Sequence, residues 1–170
     1  MKLEIQKTNR KRTSATNTFH RQCDILVNIN TENIQKGDVI MSKHYKYYQP
    51  NKLDLKDKYG DCVIRALTKV LDKSWIEVFD ELIPYARELQ GMPNSQHVYT
   101  TYLKENGFEY QGISNKKGTK RPTVASFAKS NKEGTYFVRV ANHVVAVVDG
   151  VYYDTWDSGD CSMYGYWEKI

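Results

Sequence analysis

Beyond Gly60 the apolar positions of the chain fall at helical spacing, and beyond Gly134 they fall at strand spacing. Val63, Ala66, Leu67 and Val70 predict a helix running to about Leu71, with Asp61 as its N-cap. Ile64 and Leu71 add apolar side chains on a second face, so this helix is expected to be central and largely buried. Ser74 and Glu77 form a capping box that opens a second helix, whose stripe is Trp75, Val78, Phe79, Leu82, Tyr85, Ala86 and Leu89. Pro84 lies within that stripe and should kink or split the helix near Ile83. Asn94 can cap a third helix through Val98, Tyr102 and Leu103 that Gly107 ends. Thr123 can cap a short fourth one that buries Val124 and Phe127.

Three strands are predicted after the helices: Thr135 to Val140, His143 to Val148 and Val151 to Trp156. Helices first and strands afterwards make an α+β layout. Upstream the pattern is weaker. Ile25-Leu26-Val27 and Val39-Ile40-Met41 read as short strands joined across Lys36-Gly37-Asp38, and residues 1–20 as a loosely attached segment. The stretch from His44 to Lys58, rich in Tyr and Lys and containing Pro50, reads as irregular. The expected organisation is a basic extension over 1–44 and one domain over 45–170.

Asp149-Gly150 is a two-residue hairpin turn in which both central positions need positive φ, and it fixes a register. Val148 then pairs with Val151, Val147 with Tyr152, Ala146 with Tyr153 and Val145 with Asp154, followed by Val144 with Thr155 and His143 with Trp156. One face is therefore His143, Val145, Val147, Tyr152, Asp154 and Trp156. The opposite face, with Val144, Ala146, Val148, Val151, Tyr153 and Thr155, reads as core. His143 and Asp154 stand in a diagonal relation, with backbones about 7–8 Å apart. That spacing lets the carboxylate hold one imidazole nitrogen while the other faces a substrate. A slip of one residue would undo it.

Composition adds limits. The chain has 170 residues, 40% hydrophobic and 26% charged, as in an ordinary globular protein. No stretch approaches the ~20 apolar residues of a membrane helix, and the polar, basic N-terminus lacks the apolar core of a secretory signal. No membrane association is expected, and the location is read as cytoplasmic. The net charge of +5 is uneven: residues 1–58 hold 12 Lys/Arg against 6 Asp/Glu, whereas 59–170 hold 13 against 14. Contact with nucleic acid or an acidic partner is thus expected, if anywhere, through Arg10-Lys11-Arg12, a run that reads more readily as a solvated flexible tail. Tyr45, Tyr47 and Tyr48 beside Lys43 and Lys46 could stack bases, but read more readily as covering a sheet edge or shaping the cleft.

The cysteines, Cys23, Cys62 and Cys161, are too few and odd in number for a disulfide framework, and no CxxC pair marks a zinc site. Cys62 falls in the first turn of the first helix, where free backbone N–H groups favour a thiolate. Asp61 works against that charge unless it is turned away. A lone cysteine is more often a small buried hydrophobe. What raises Cys62 above that is its company, a histidine at a strand start with a carboxylate diagonal to it. Cys161, in the turn-like Ser158-Gly159-Asp160-Cys161-Ser162, is a rival nucleophile, and Cys62, His143, Asp154 and Cys161 are a conceivable but unspecific zinc set.

The segments Tyr59-Gly60-Asp61-Cys62-Val63-Ile64-Arg65-Ala66, Ala141-Asn142-His143-Val144-Val145-Ala146-Val147 and Tyr153-Asp154-Thr155-Trp156-Asp157-Ser158 resemble the papain-like cysteine peptidase superfamily. From about residue 45 onward the chain is also similar to a group of small bacterial and phage proteins with the same three blocks. The resemblance implies a helical part with a central Cys-bearing helix packed on an antiparallel sheet. It implies Cys62 as nucleophile, His143 as base and Asp154 as its orienter, with Trp156 shielding the pair and Asp61 and Asn142 lining the site. The family's oxyanion-hole Gln stands about six residues before the Cys, where this chain has Lys56, so Gln49 and Asn51 are the upstream amide candidates. The expected function is a thiol hydrolase (peptidase, isopeptidase or amidase) that acts on a peptide or protein through an acyl-enzyme, without cofactor or metal. A transglutaminase-like acyltransferase and a non-catalytic binding or inhibitor protein on the same scaffold are the alternatives.

Overall fold

The computed structural model describes residues 43–53, 60–116 and 118–170. The strands anticipated around Ile25-Leu26-Val27 and Val39-Ile40-Met41, the run Arg10-Lys11-Arg12, Cys23 and Lys56 lie outside them. The described residues form an α+β unit of four helices and a six-stranded mixed sheet. In chain order these are β1 (Tyr45–Tyr47), α1 (Cys62–Leu71), α2 (Trp75–Glu88), α3 (Gln96–Glu105), β2 (Phe108–Gly112), α4 (Val124–Ser130), β3 (Thr135–Val140), β4 (His143–Val148), β5 (Val151–Asp154) and β6 (Gly165–Lys169). The strand order is β1-β5-β4-β3-β6-β2, with β1 parallel to β5 and the other neighbours antiparallel.

The hairpin forms as the turn chemistry dictates. Asp149 and Gly150 have φ of 49° and 76°, and Val148, Val147 and Ala146 face Val151, Tyr152 and Tyr153. The ladder stops there, so the anticipated pairs from Val145–Asp154 to His143–Trp156 do not form and β5 ends at Asp154 rather than Trp156. Two local bonds turn the chain away. The Asp154 side chain accepts from the Thr155 N–H (2.8 Å), and the Asp154 carbonyl accepts from Tyr48 N–H (2.9 Å). The segment expected to be irregular supplies that second partner: Tyr45–Tyr47 is a strand that covers the edge of β5.

Both faces of the sheet are covered. Val144, Ala146 and Phe137 pack under α1, α2 and α3 with Leu67, Val78, Leu82, Val98 and Leu103. Val145, Val147, Val138 and Tyr152 pack on the other side with Val124, Phe127 and Ala128 of α4 and with Met163. The face anticipated to carry His143 and Asp154 thus also builds a second core. The unbroken apolar run of β4 is the pattern of a strand buried on both sides.

The helices follow their stop and start signals with three corrections. Asp61 stands at the N-cap position of α1 as expected, but its side chain makes no capping bond, its oxygens being taken by Arg65, Trp75 and Asn51. α2 begins at the Ser74–Glu77 box and runs through Pro84 without splitting. Pro84 and Asp80, whose carbonyl loses its usual partner, are both exposed, so water can satisfy that carbonyl. Ser95, and not Asn94, stands at the N-cap position of α3, though its hydroxyl accepts from the Met92 N–H (3.1 Å) rather than from the helix, and the Asn94 amide donates to the Gly60 carbonyl (3.2 Å). Strands β2 and β6 were not anticipated. Among the described residues no helix is long and apolar enough to cross a membrane.

Candidate active site

α1 starts at Cys62 with its first N–H groups free of any side-chain cap, pointing the helix dipole at the thiol. The strand that receives this end of the helix is β4. His143 is its first residue, set there by a tight β3–β4 turn in which Asn142 takes φ of 52°. At that end of the sheet the imidazole meets both the last residue of β5 and the start of α1. His143 Nε2 hydrogen-bonds Asp154 Oδ2 at 2.7 Å, which leaves the other ring nitrogen for the hydrogen bond between His143 and the Cys62 thiol. A further hydrogen bond to the sulfur comes from the Val144 backbone.

Asp154 is 4% exposed and anchored on every side. Its Oδ1 takes the Thr155 N–H and lies 3.9 Å from the Arg65 guanidinium, while Tyr48, just past β1, donates its N–H to the Asp154 carbonyl. Trp156 lies over the imidazole, ring centroids 5.6 Å apart, and remains 40% exposed. The tryptophan therefore covers His143 from the solvent side.

The electrostatics favour a thiolate–imidazolium pair. Burial pushes the Cys62 thiol up, but the hydrogen bond and charge of His143, the charge of Arg65 and the Val144 hydrogen bond outweigh it and hold the thiol below its ordinary value. Burial pushes His143 down, yet the hydrogen bonds and charges of Asp154 and Cys62 raise it to about 9. Each partner thus favours the charged form of the other.

Asp61 would oppose a thiolate if it stood free, and it does not. Its carboxylate accepts from the Arg65 guanidinium one turn on, from Trp75 Nε1 (3.2 Å) and from Asn51 Nδ2 (3.3 Å). Arg65 is the residue that the sequence left unassigned. It neutralises Asp61, approaches Asp154 and lowers the Cys62 thiol. The i, i+4 Asp–Arg spacing was the available signal for it.

The anticipated upstream amides go elsewhere. Asn51 donates its amide to Asp61, and Gln49 Oε1 accepts from the Asn51 N–H (3.2 Å). Neither lines the cleft above Cys62. That cleft holds about 590 Å³ and is bounded by Gly60, Cys62, Val63, Asn94, Gln96 and Tyr99 on one side and by Arg139 to Val144 with Tyr164 on the other. Asn142 lines it; Asp61 and Trp156 do not. The Cys62 N–H lies at the start of α1, where no side chain caps the helix.

No family model, curated protein or solved structure matches this chain. Its chemistry rests on its own residues.

Cys161 is 7% exposed and packs into the core beneath α4, opposite the face that carries Cys62, so neither the rival nucleophile nor the four-residue zinc set is assembled. Among the described residues no group of three or more His, Cys, Asp or Glu could hold a metal ion. The tyrosines near β1 are engaged: Tyr45 lies against Tyr152 (5.6 Å) and Tyr48 edge-on to Tyr153 (6.0 Å). Tyr47 stays exposed.

Proposed function

We propose that this chain is a papain-like thiol hydrolase acting through Cys62, His143 and Asp154. The observation that carries the proposal is the His143 imidazole, bonded to buried Asp154 through Nε2 and to a thiol at an uncapped helix N-terminus through its other nitrogen. The Cys62 sulfur attacks the carbonyl carbon of an amide or ester, and the developing oxyanion takes the Cys62 N–H. The imidazolium gives its proton to the departing amine or alcohol as the carbon–nitrogen or carbon–oxygen bond breaks, leaving a thioester. His143 then takes a proton from water, hydroxide adds to the thioester, and the acid leaves as the thiol is restored. Asp154 keeps the ring oriented and stabilises its charge throughout.

The test is acyl-enzyme trapping on the full chain. A p-nitrophenyl ester should give a burst of nitrophenol, and peptide mass spectrometry should place the acyl group on Cys62. The burst should vanish in Cys62→Ser and fall by orders of magnitude in His143→Ala. Acylation spread over other residues, or a burst that survives Cys62→Ser, would contradict the proposal. A stable product with an added primary amine, formed in preference to hydrolysis, would move the assignment to an acyltransferase.

A further inference from the structure

One wall of the cleft carries a charge that the triad does not use. Arg139 lies on β3 directly opposite Val144 of β4, and paired residues share a face. That face is the one under α1, and Val144 is the residue whose backbone bonds the Cys62 sulfur. Arg139 is therefore one strand spacing from the nucleophile's own contact.

Its guanidinium has one protein acceptor, Gln96 Oε1 at 2.8 Å. Nε is out of solvent with no hydrogen-bond partner, and among the described residues no carboxylate lies within ion-pair distance. A half-buried guanidinium without a counter-ion is costly. A second arginine stands close by. Arg121 lies 4.0 Å over the Tyr164 ring, and Arg139 lies 6.0 Å from the same ring. Arg121 has no ion-pair partner among the described residues either.

No Asp or Glu lines the cleft. The thiolate and imidazolium cancel, so Arg139 leaves the cleft with a net positive charge, reinforced by Arg121 at the Tyr164 side. Guanidinium forks match planar carboxylates.

We propose that Arg139, backed by Arg121 across Tyr164, binds a carboxylate of the substrate, so that the acyl chain delivered to Cys62 carries an acidic side chain. This rests on the hydrolase proposal for its context, but binding can be read without the reaction.

The test titrates N-acetyl-glutamate methylamide and N-acetyl-glutamine methylamide into full-chain Cys62→Ser protein, followed by NMR. The acid should bind roughly tenfold more tightly, the equivalent of one charge-assisted contact. Arg139→Gln should remove the preference, and Arg139→Lys should restore part of it. Gln96→Ala, which keeps the charge and removes only its protein acceptor, should retain it and guards against misfolding of the Arg139 variants. Equal binding of the two ligands, or a preference that survives Arg139→Gln, would overturn the proposal. Failure of the hydrolase proposal shows separately, as an absent acyl-enzyme in the unmodified protein.

Discussion

Replacing Asp154 by Asn removes one charge while keeping the size of the side chain and its bond to the Thr155 N–H. In the native protein His143 is raised from 6.5 to about 9. That rise corresponds to about 3 kcal/mol in favour of the protonated ring. Burial acts the other way, so the partners together push by more than this. Asp154 supplies both a hydrogen bond and a charge to that push. Asp154→Asn should therefore lower the His143 titration by about 1–3 pH units, the usual effect of losing an adjacent opposite charge. The assay is an NMR titration of the His143 ring from about pH 5 to about pH 11, with His143→Gln to assign the signal. A variant ring that still titrates near the native value would refute the reasoning, because burial would then be opposed by something other than Asp154. Stability follows with a definite sign. A histidine that holds its proton more tightly when folded contributes stability that is fully present below 6.5 and lost as pH rises through about 9. Urea unfolding should show that loss in the native protein across this window and less of it in Asp154→Asn.

Arg65→Gln should leave Asp61 uncompensated beside Cys62 and raise the thiol, slowing alkylation of Cys62 near pH 6 by roughly three- to tenfold. An unchanged pH–rate profile would show that Arg65 is only a helix salt bridge. Gly150→Ala should destabilise the fold by about 1–2 kcal/mol in chemical denaturation, since Gly150 has φ of 76° and a Cβ there would sit 3.2 Å from the Lys132 Cα. A neutral outcome would mean the β4–β5 turn can rearrange without cost.

The parts of the fold legible in the sequence were those fixed by short-range chemistry. The Asp149-Gly150 turn set three ladder pairs, and Ser74–Glu77 and Thr123 set two helix starts. What failed depended on distant partners. Tyr45–Tyr47 has no strand pattern of its own and is a strand because β5 offers an open edge. Phe108–Gly112 buries only Phe108, so it shows no alternation and takes its shape from β6. Asp61 had the composition of an N-cap, yet Arg65, Trp75 and Asn51 compete for its oxygens. The same distinction holds at the site. Register brought His143 and Asp154 near each other, although the anticipated ladder beyond Tyr153 never forms. The contact to Cys62 required the packing of α1 on β4, which no local spacing encodes.

The central claim is that Cys62 is a thiolate made by His143. Timed alkylation with iodoacetamide below pH 7, resolved for Cys23, Cys62 and Cys161 by peptide mass spectrometry, tests it most directly. Cys62 should react far ahead of the other two, and His143→Ala should abolish that lead. Slow and equal alkylation of all three cysteines in the native protein would contradict the claim.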